Sequence, residues 1–264
     1  MDAESIKLPD SLSLTKIESI KHWTDKLFSF RTARPGSFRF RSGEFIMLGL
    51  AVDGKPLLRA YSVASPYWDD GLDFYSIKVQ DGPLTSRLQH VEPGDELILG
   101  KKPTGTLVLD CLKPGKRLFL FSTGTGIAPF ASIIRDPETY EGYDEVILTH
   151  TCRKVSELQY GVHLLEGLRE DPLLSETAPD RITYYGTTTQ EDSQFTGRIT
   201  DLITTGKLFD DLKINSLCPE TDRVMICGSM DMLKDTAAIV EGAGLQEGSN
   251  SKPGDYVIEK AFAE

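Results

Sequence analysis

The sequence has few cysteines, and their spacing is not that of a metal cluster or a disulfide framework. The four cysteines among its 264 residues are Cys111, Cys152, Cys218 and Cys227, and no two of them form a C-x-x-C pair. This spacing argues against a zinc site, a built-in iron–sulfur cluster and a fold held together by disulfides. Any metal centre that takes part in the function is therefore expected on a separate protein.

Long apolar runs are also absent. No uninterrupted apolar segment approaches the roughly 20 residues that a membrane-spanning helix needs. Residues 1–10 carry charges and lack the apolar stretch of a signal peptide. The composition, 39% hydrophobic and 26% charged, is that of a globular protein. We therefore expect a cytoplasmic protein without a membrane anchor, long enough for two ordinary domains.

Acidic residues outnumber basic ones overall, but positive charge is locally concentrated. The formal charge is -11; residues 1–110 hold 14 Lys and Arg against 15 Asp and Glu, and residues 111–264 hold 15 against 25. So acidic a chain is a poor binder of nucleic acids. Between positions 21 and 41, however, Asp25 is the one acidic residue among six basic ones, which are Lys21, Lys26, Arg31, Arg34, Arg39 and Arg41. Taken alone, such a segment is more typical of a solvated hairpin face than of a binding surface.

The first 110 residues have the pattern of an antiparallel β domain. Strand-like segments cover residues 26–32, 44–52, 59–64 and 73–80. They are separated by Pro-Gly and Asp-Gly turn sequences, which are the usual breaks of a barrel or sandwich. One short helix is predicted near residues 84–90. We predict an antiparallel Greek-key β-barrel as the first domain.

The pattern changes after residue 111, where apolar strands alternate with helical segments. Strands are predicted at residues 117–121, 145–149, 181–185 and 223–227, followed by helices near 129–134, 156–169, 199–212 and 231–242. A closing strand is predicted at residues 256–261. This alternation predicts that residues 111–264 form an α/β domain with a doubly wound parallel sheet.

A glycine-rich segment, Ser-Thr-Gly-Thr-Gly-Ile-Ala-Pro-Phe at residues 122–130, follows the first strand of this second domain and opens a helix. Gly124 and Gly126 would let the backbone turn tightly and approach a pyrophosphate, which the N–H groups of the helix start would bind. The segment is not a G-x-G-x-x-G motif, because Pro129 replaces the third glycine; a proline in the first helical turn is tolerated. Alone, these glycines predict either dinucleotide binding or a simple strand-to-helix turn.

Two segments of the first domain also suit a nucleotide. In Arg-Ala-Tyr-Ser at residues 59–62, Arg59 can pair with a phosphate, Tyr61 can stack on a flat heteroaromatic ring, and Ser62 can bond a ring nitrogen. Gly-Pro-Leu-Thr-Ser at residues 82–86 would open a helix whose amides and hydroxyls suit a diphosphate. The alternatives are an ordinary strand and an ordinary helix cap.

The order of these motifs, R-x-Y-S, G-P-L-T-S, G-T-G-I-A-P and a final C-G-S-M, resembles the ferredoxin–NADP reductase family. Residues 22–30, 74–79 and 82–90 resemble its bacterial branch in particular. The resemblance extends from about residue 14 to the C-terminus, and the combination is highly specific although no single motif is. It implies an FAD-binding barrel followed by a nucleotide domain, with the flavin ring at their junction.

The resemblance also implies residues for each cofactor. Those for non-covalent FAD are Arg59, Ala60, Tyr61, Ser62, Ile77, Lys78, Val79, Leu84, Thr85, Ser86, Thr125 and Phe262. Those for NADP(H) are Thr123, Gly124, Thr125, Gly126, Arg153, Gln190, Arg198, Cys227, Gly228, Ser229 and Met230. Thr125 would lie closest to the flavin.

The activity that the resemblance implies is hydride transfer between NADP(H) and flavin N5, followed by single-electron steps to or from ferredoxin or flavodoxin, in a monomer. Ser62 and Glu259 would bond near N5 or relay a proton, Cys227 would steer the nicotinamide, and Ala261 would mark the flavin face on which it stacks. Their alternative roles are a strand hydroxyl, a surface charge and small buried side chains. The predicted docking residues for an acidic carrier are Lys21, Lys26, Arg39 and Arg41.

Two departures from the family pattern bear on specificity. Gln190 stands where relatives often have an arginine that binds the 2′-phosphate, and Ala263 is smaller than the usual residue of the bacterial tail. We therefore expect a weakened preference for NADPH over NADH. Two other functions remain open at this point: an NAD(P)H-dependent flavin or quinone reductase of the same fold, and a non-catalytic FAD-binding regulatory subunit.

Overall fold

A computed structural model describes residues 8–260, apart from the side chain of Lys260. The first half contains six strands, β1 (Leu12–His22), β2 (Leu27–Ala33), β3 (Phe45–Val52), β4 (Lys55–Ser62), β5 (Gly71–Ile77) and β6 (Glu96–Gly100), and a one-turn helix α1 (Thr85–Leu88) lies between β5 and β6. The strands form one antiparallel sheet that curls into a barrel, in the order β4-β3-β6-β1-β2-β5. This confirms the predicted antiparallel first half.

The barrel closes around aromatic side chains that alternate along its strands. Phe28 and Phe30 of β2 and Phe74 of β5 are at most 2% exposed, and the rings of Phe30 and Phe74 stack with centroids 5.3 Å apart. The sequence analysis placed no strand at β1 or β6. In β1 only Thr15 and Ile17 are buried, so its alternation is too short to stand out from a polar loop.

The second half contains a parallel sheet in the order β10-β9-β8-β7-β11-β12, as predicted for a doubly wound domain. Its strands are β7 (Arg117–Thr123), β8 (Glu145–Cys152), β9 (Ile182–Thr188), β10 (Phe195–Thr196), β11 (Asp222–Gly228) and β12 (Tyr256–Lys260). Its helices are α2 (Ala128–Ile133), α3 (Pro137–Gly142), α4 (Gln159–Glu170), α5 (Ala178–Arg181), α6 (Ile199–Thr204), α7 (Lys207–Leu212) and α8 (Met230–Gly242).

Both faces of this sheet are buried. Leu118 and Leu120 of β7 belong to one hydrophobic cluster, and Phe119 and Phe121 belong to another. Successive side chains of a strand point to opposite faces, so the two clusters lie on opposite sides of the sheet. A near-continuous apolar strand is the expected sequence for this position.

Some predicted helices differ from the observed ones. The helix predicted at residues 199–212 is two helices, α6 and α7, because Gly206 has a left-handed backbone (φ 80°) and interrupts it. The short helices α3 and α5 were not predicted; α3 begins at Pro137, where Asp136 accepts a hydrogen bond from the Glu138 amide. Among the helices described, none is long and apolar enough to cross a membrane.

The two halves pack directly on each other. Tyr75 of β5 stacks on Tyr160 of α4 with centroids 3.9 Å apart and an interplanar angle of 7°. Ser132 of α2 donates a 2.7 Å hydrogen bond to the Ser65 carbonyl, and Arg135 donates to the Ala64 carbonyl. The C-terminal end of α2, the helix that follows the glycine-rich segment, is thereby held against the barrel.

Candidate functional site

A cavity of about 510 Å³ lies between β4, the turn after β5 and the start of α2. Nine of the residues predicted to hold FAD line it: Arg59, Ala60, Tyr61, Ser62, Ile77, Val79, Leu84, Thr85 and Thr125. Tyr75, Ser76, Gly82, Pro83 and Ala128 complete the lining. The motifs from both halves of the sequence therefore meet around one cavity.

Arg59 presents a cation to this cavity. Its guanidinium donates a 2.8 Å hydrogen bond to the neighbouring Leu58 carbonyl. Within residues 8–260 no carboxylate lies within ion-pair distance of Arg59. A half-buried guanidinium that lacks a carboxylate partner is suited to a phosphate group, because a charge out of water needs a counter-charge. The lining thus fits the diphosphate of FAD.

Tyr61 is held in a fixed orientation at the same cavity. Its hydroxyl lies 3.0 Å from the Ser76 hydroxyl, and its ring makes edge contacts with Phe30 and Phe74 at 6.3 Å. Burial is the main cause that raises the pKa of Tyr61, so the phenol stays protonated. A rigid aromatic ring at the wall of an apolar cavity suits a flat ligand such as a flavin ring.

The turn after β5 differs from the predicted helix start. The helix α1 has only four residues, and its N-terminal flanking residue Leu84 makes no side-chain cap. A Cβ on Gly82 would lie 2.3 Å from the Thr85 hydroxyl oxygen, so a larger residue at this position would displace the Thr85 side chain. A helix of one turn has a small dipole, and loop amides are therefore the groups available to a phosphate. Lys78 and Ser86 do not line the cavity.

A second cavity of about 540 Å³ adjoins the first. We call the first the FAD cavity and the second the nucleotide cavity, after the ligands predicted for them. Ile77 and Thr125 line both, so the two cavities meet where the flavin ring and the nicotinamide were predicted to meet. The predicted nucleotide residues that line it are Thr123, Gly124, Thr125, Arg153, Arg198 and Ser229. The sequence analysis missed the other lining residues: Leu27, Thr151, Cys152, Glu157, Thr189, Ile199, Thr200, Asp231, Met232 and Asp235.

The two glycines of the glycine-rich segment serve different purposes. Gly124 has a left-handed backbone (φ 54°) with open space at its Cβ position, where a ligand can approach. A Cβ on Gly126 would instead lie 2.3 Å from the Cys227 carbonyl oxygen. Gly126 therefore allows β11 to pack against the segment, which is a different reason from the predicted pyrophosphate approach.

The C-G-S-M turn is joined to the same segment. The Thr123 hydroxyl accepts a 3.2 Å hydrogen bond from the Ser229 amide, and a Cβ on Gly228 would collide with it at 2.2 Å. Ser229 caps α8 and Met230 is exposed. Of the four residues in this turn, Ser229 lines the nucleotide cavity; Cys227, Gly228 and Met230 do not.

Arg153 and Arg198 are exposed cations at the nucleotide cavity. Neither has an ion-pair partner in the described part of the chain. The backbone N–H of Gln190 donates a 3.0 Å hydrogen bond to the Arg153 carbonyl, so Gln190 lies beside Arg153, although it does not line the cavity. Two exposed cations that line one cavity suit the binding of a phosphate group.

Cys227 and Glu259 are paired neighbours on β11 and β12. Cys227 is 0% exposed, and burial, with the nearby Glu259, raises the pKa of its thiol. One carboxylate oxygen of Glu259 is buried without a hydrogen-bond partner in residues 8–260. Neither side chain lines a described cavity, and Ala261 and Phe262 lie outside the described residues.

The four predicted docking residues do not form one continuous strip. Lys21 and Lys26 lie near the hairpin between β1 and β2, whereas Arg39 and Arg41 follow the other end of β2, which at seven residues spans about 20 Å. Lys26 also lines the nucleotide cavity. Arg41 pairs with Glu44 at 3.0 Å and Asp110 at 3.2 Å, so its charge is partly neutralised.

Comparison with known proteins agrees with this arrangement. Residues 11–108 match the model of the oxidoreductase FAD-binding domain, and residues 120–238 match the oxidoreductase NAD-binding domain. The fold and the two adjoining cavities thus define a flavin-dependent, nicotinamide-using oxidoreductase.

Individual relatives narrow this class. The flavodoxin/ferredoxin–NADP reductase of Rhodobacter capsulatus is 57% identical over 256 residues, 97% of this chain and 94% of the relative. The ferredoxin–NADP reductase of Azotobacter vinelandii is 49% identical over 255 residues, 96% and 99% of the two chains. A crystal structure of a ferredoxin NADP+ reductase from Neisseria gonorrhoeae with bound FAD and NADP is 32% identical with a TM-score of 0.87, covering 96% of this chain and all of that one. The chain belongs to the ferredoxin–NADP reductase family.

Replacing Arg59 tests the FAD cavity. Arg59→Ala should weaken FAD retention by about 10-fold to 150-fold, because a charge-assisted contact contributes about 1.5–3 kcal/mol. Titration of flavin fluorescence measures this, and mass analysis of heat-released cofactor should show FAD rather than FMN. Lys55→Ala, an exposed residue on the same strand, is the matched control. Equal FAD affinity in the two variants would remove Arg59 from the site.

The raised pKa of the Glu259 carboxyl group predicts that the free energy of unfolding depends on pH. Burial raises its pKa to about 8; hydrogen bonds from the Thr106 and Leu107 backbone oppose this rise, and the negative charge of Glu44 adds to it. Between the ordinary pKa of a glutamate and pH 8, Glu259 holds a proton in the folded state that it has lost in the unfolded state. The free energy of unfolding therefore falls as the pH rises through this window.

Glu259→Gln should remove this dependence, since an amide does not titrate. The melting temperature of the unsubstituted protein should fall relative to that of the variant between pH 5 and pH 8, measured on FAD-loaded protein. Glu166→Gln, at an exposed glutamate of α4, is the control. A difference in melting temperature that does not change with pH would contradict the raised pKa.

Proposed function

We propose that this chain is an FAD enzyme that transfers electrons between NADP(H) and ferredoxin or flavodoxin. The observation that carries the proposal is the meeting of two cavities at Ile77 and Thr125, with Arg59 on one and Arg153 and Arg198 on the other. Relatives named as ferredoxin–NADP or flavodoxin/ferredoxin–NADP reductases, which match nearly the whole chain, support the carrier class. The proposed domains are residues 1–110 for FAD and 111–264 for NADP(H).

The chain's own residues position the reactants. When bound, FAD supplies the hydride and single-electron chemistry, so the protein contributes binding and orientation. Arg59 holds the diphosphate of FAD, Tyr61 covers one face of the flavin ring, and Ser62 bonds its edge. The segment from Thr123 to Gly126 binds the nicotinamide dinucleotide. Burial raises the pKa of Glu259 to about 8, and Glu259 is proposed to bond near N5 or to relay a proton.

Further residues complete the proposed sites. Ala60, Ile77, Val79, Leu84 and Thr85 shape the walls of the FAD cavity. The residues proposed at the nicotinamide end are Cys227, Gly228, Ser229 and Met230. Cys227 is buried, so it acts there by setting the position of its strand, β11.

We propose the cytosol as the compartment, because all four cysteines are free thiols. The monomeric state stays a prediction, which light scattering tests.

Carrier dependence tests the proposed function. With NADPH as donor, cytochrome c should be reduced rapidly only when ferredoxin or flavodoxin is added. Equal reduction without a carrier, together with rapid turnover of free flavin or quinone, would support the flavin-reductase alternative. Absence of any NADPH oxidation would support the regulatory subunit, although a cavity with two cations suited to a nucleotide speaks against it.

The docking surface is tested by reversing one charge at each end of β2. Lys21 lies at the end near the FAD cavity, since Leu27 pairs with Ile77 there. We expect Lys21→Glu to slow carrier reduction about threefold to tenfold at low ionic strength, because charge steering governs association and is screened by salt. Arg39→Glu should have a smaller effect. NADPH-to-ferricyanide turnover should not change in either variant, and unchanged carrier kinetics in both would indicate a merely solvated segment.

A further inference from the structure

His150 connects the nucleotide cavity to the interior of the second domain. It lies on β8, is 0% exposed, and has a partner at each ring nitrogen. Its Nε2 lies 3.0 Å from the Gly124 carbonyl oxygen, and its Nδ1 lies 3.1 Å from the Tyr184 hydroxyl. None of the motifs or roles above includes His150 or Tyr184.

The hydrogen-bond partners of His150 define which atoms of His150 and Tyr184 carry a proton. Burial lowers the pKa of His150 to about 4, so the ring is neutral and carries one N–H. A carbonyl oxygen only accepts, so Nε2 must donate to Gly124 and Nδ1 must accept from Tyr184. Burial also raises the pKa of Tyr184, which keeps the hydroxyl proton that Nδ1 needs. The nearby Cys152 thiol, 3.2 Å from Nε2, can donate to the Glu157 carbonyl at 3.7 Å.

The chain makes room for Tyr184 with two glycines. A Cβ on Gly161 would lie 2.4 Å from the Tyr184 hydroxyl oxygen, and one on Gly186 would lie 2.9 Å from its ring. Gly161 lies inside α4, where glycine costs about 1 kcal/mol relative to alanine. Gly167 of the same helix has open space instead. Glycines of both α4 and β9 therefore provide the space that the Tyr184 phenol occupies.

His150 contacts Gly124, a residue of the nucleotide cavity whose backbone is left-handed. Gly124 has a φ of 54° and lines the cavity, and its carbonyl is the acceptor for Nε2. A glycine in open space has no side chain to restrict it, so the hydrogen bond to Nε2 adds to the short 3-10 helix at Gly124–Ile127 in limiting rotation of its peptide group. Rotation of that peptide would redirect the N–H of Thr125, the next residue that lines the cavity.

We propose that His150, supported by Tyr184, is a positioning residue that holds the Gly124 peptide so that the segment at residues 123–126 is preorganised for the diphosphate of the nicotinamide dinucleotide. The inference rests on the proposed function. A preorganised segment loses less conformational freedom on binding, so the effect appears in nucleotide affinity rather than in the chemical step.

The test compares His150→Leu with His150→Gln in the FAD-loaded protein, with ferricyanide as acceptor. The Leu variant should raise the KM for NADPH about tenfold, or about 1.4 kcal/mol, while kcat and FAD content stay unchanged. The Gln variant retains an amide N–H for the Gly124 carbonyl and should stay within threefold of the unsubstituted protein. An equal KM in both variants would overturn the proposal.

A glycine pair on α4 provides an independent test that does not alter His150. Gly161→Ala displaces the Tyr184 hydroxyl and should raise the KM for NADPH about threefold to tenfold. Gly167→Ala, at an open position of the same helix, should leave it unchanged. Equal KM values for these two variants would overturn the proposal even if His150→Leu failed to fold. Turnover of NADPH by the unsubstituted protein is measured first, because its absence would refute the proposed function instead.

Discussion

Replacing both Arg153 and Arg198 by alanine should lower kcat/KM for NADPH about 100-fold or more and change that for NADH less than about threefold. Each arginine is an exposed cation at the nucleotide cavity, and neither has an ion-pair partner in the described chain. A charge-assisted contact contributes about 1.5–3 kcal/mol, which is a factor of ten or more. NADH lacks the 2′-phosphate, so it loses little when the arginines are removed.

The single variants and Gln190 refine this result. Arg198→Ala alone should raise the KM for NADPH much more than that for NADH. Gln190→Arg should sharpen the preference for NADPH, since it adds a third cation beside Arg153. Arg169→Ala, at an exposed arginine outside the cavity, is the control. Equal losses with NADPH and NADH would show that the arginines support the fold rather than select the nucleotide.

Gly126→Ala should destabilise the protein by about 3 kcal/mol and sharply reduce NADPH turnover. The new Cβ would lie 2.3 Å from the Cys227 carbonyl oxygen and 3.0 Å from the Gly228 Cα. Both are backbone atoms, so the end of β11 or the glycine-rich segment must move, and overpacking of this kind costs about 1–3 kcal/mol or more. Either movement separates groups that line the nucleotide cavity.

The melting temperature and the KM for NADPH measure this effect together. For a chain of this size, about 3 kcal/mol corresponds to a fall of roughly 6–12 °C. Gly142→Ala is the matched control, because nothing lies within 4 Å of its Cβ position. A Gly126→Ala protein that melts and turns over like the control would show that β11 does not approach the segment as closely as described.

Local sequence patterns predicted most of the fold and much of the lining of both cavities. Strand–helix alternation predicted the parallel sheet, because buried parallel strands are apolar throughout. Arg59, Tyr61 and Ser62 were predicted from one short motif, and all three line the FAD cavity. Their roles toward the cofactor stay predictions.

Other features depend on contacts between distant segments and have no local signal. The clash that requires Gly126 involves Cys227, about 100 positions later, so the sequence shows the glycine but not its reason. The pairing of Arg41 with Glu44 and Asp110, and the separation of the basic residues along β2, likewise appear only in the folded chain. His150 looked like an ordinary strand residue, and only its two ring contacts reveal its connection to Gly124.

Hydride transfer from the nicotinamide to the flavin is tested by stopped-flow mixing of the FAD-loaded protein with NADPH or NADH without oxygen. We expect NADPH to bleach the flavin absorbance in a fast phase and NADH to do so more slowly at equal concentration. The two ring systems are proposed to meet where Ile77 and Thr125 line both cavities. Absence of bleaching by NADPH, or faster bleaching by NADH, would contradict this proposal.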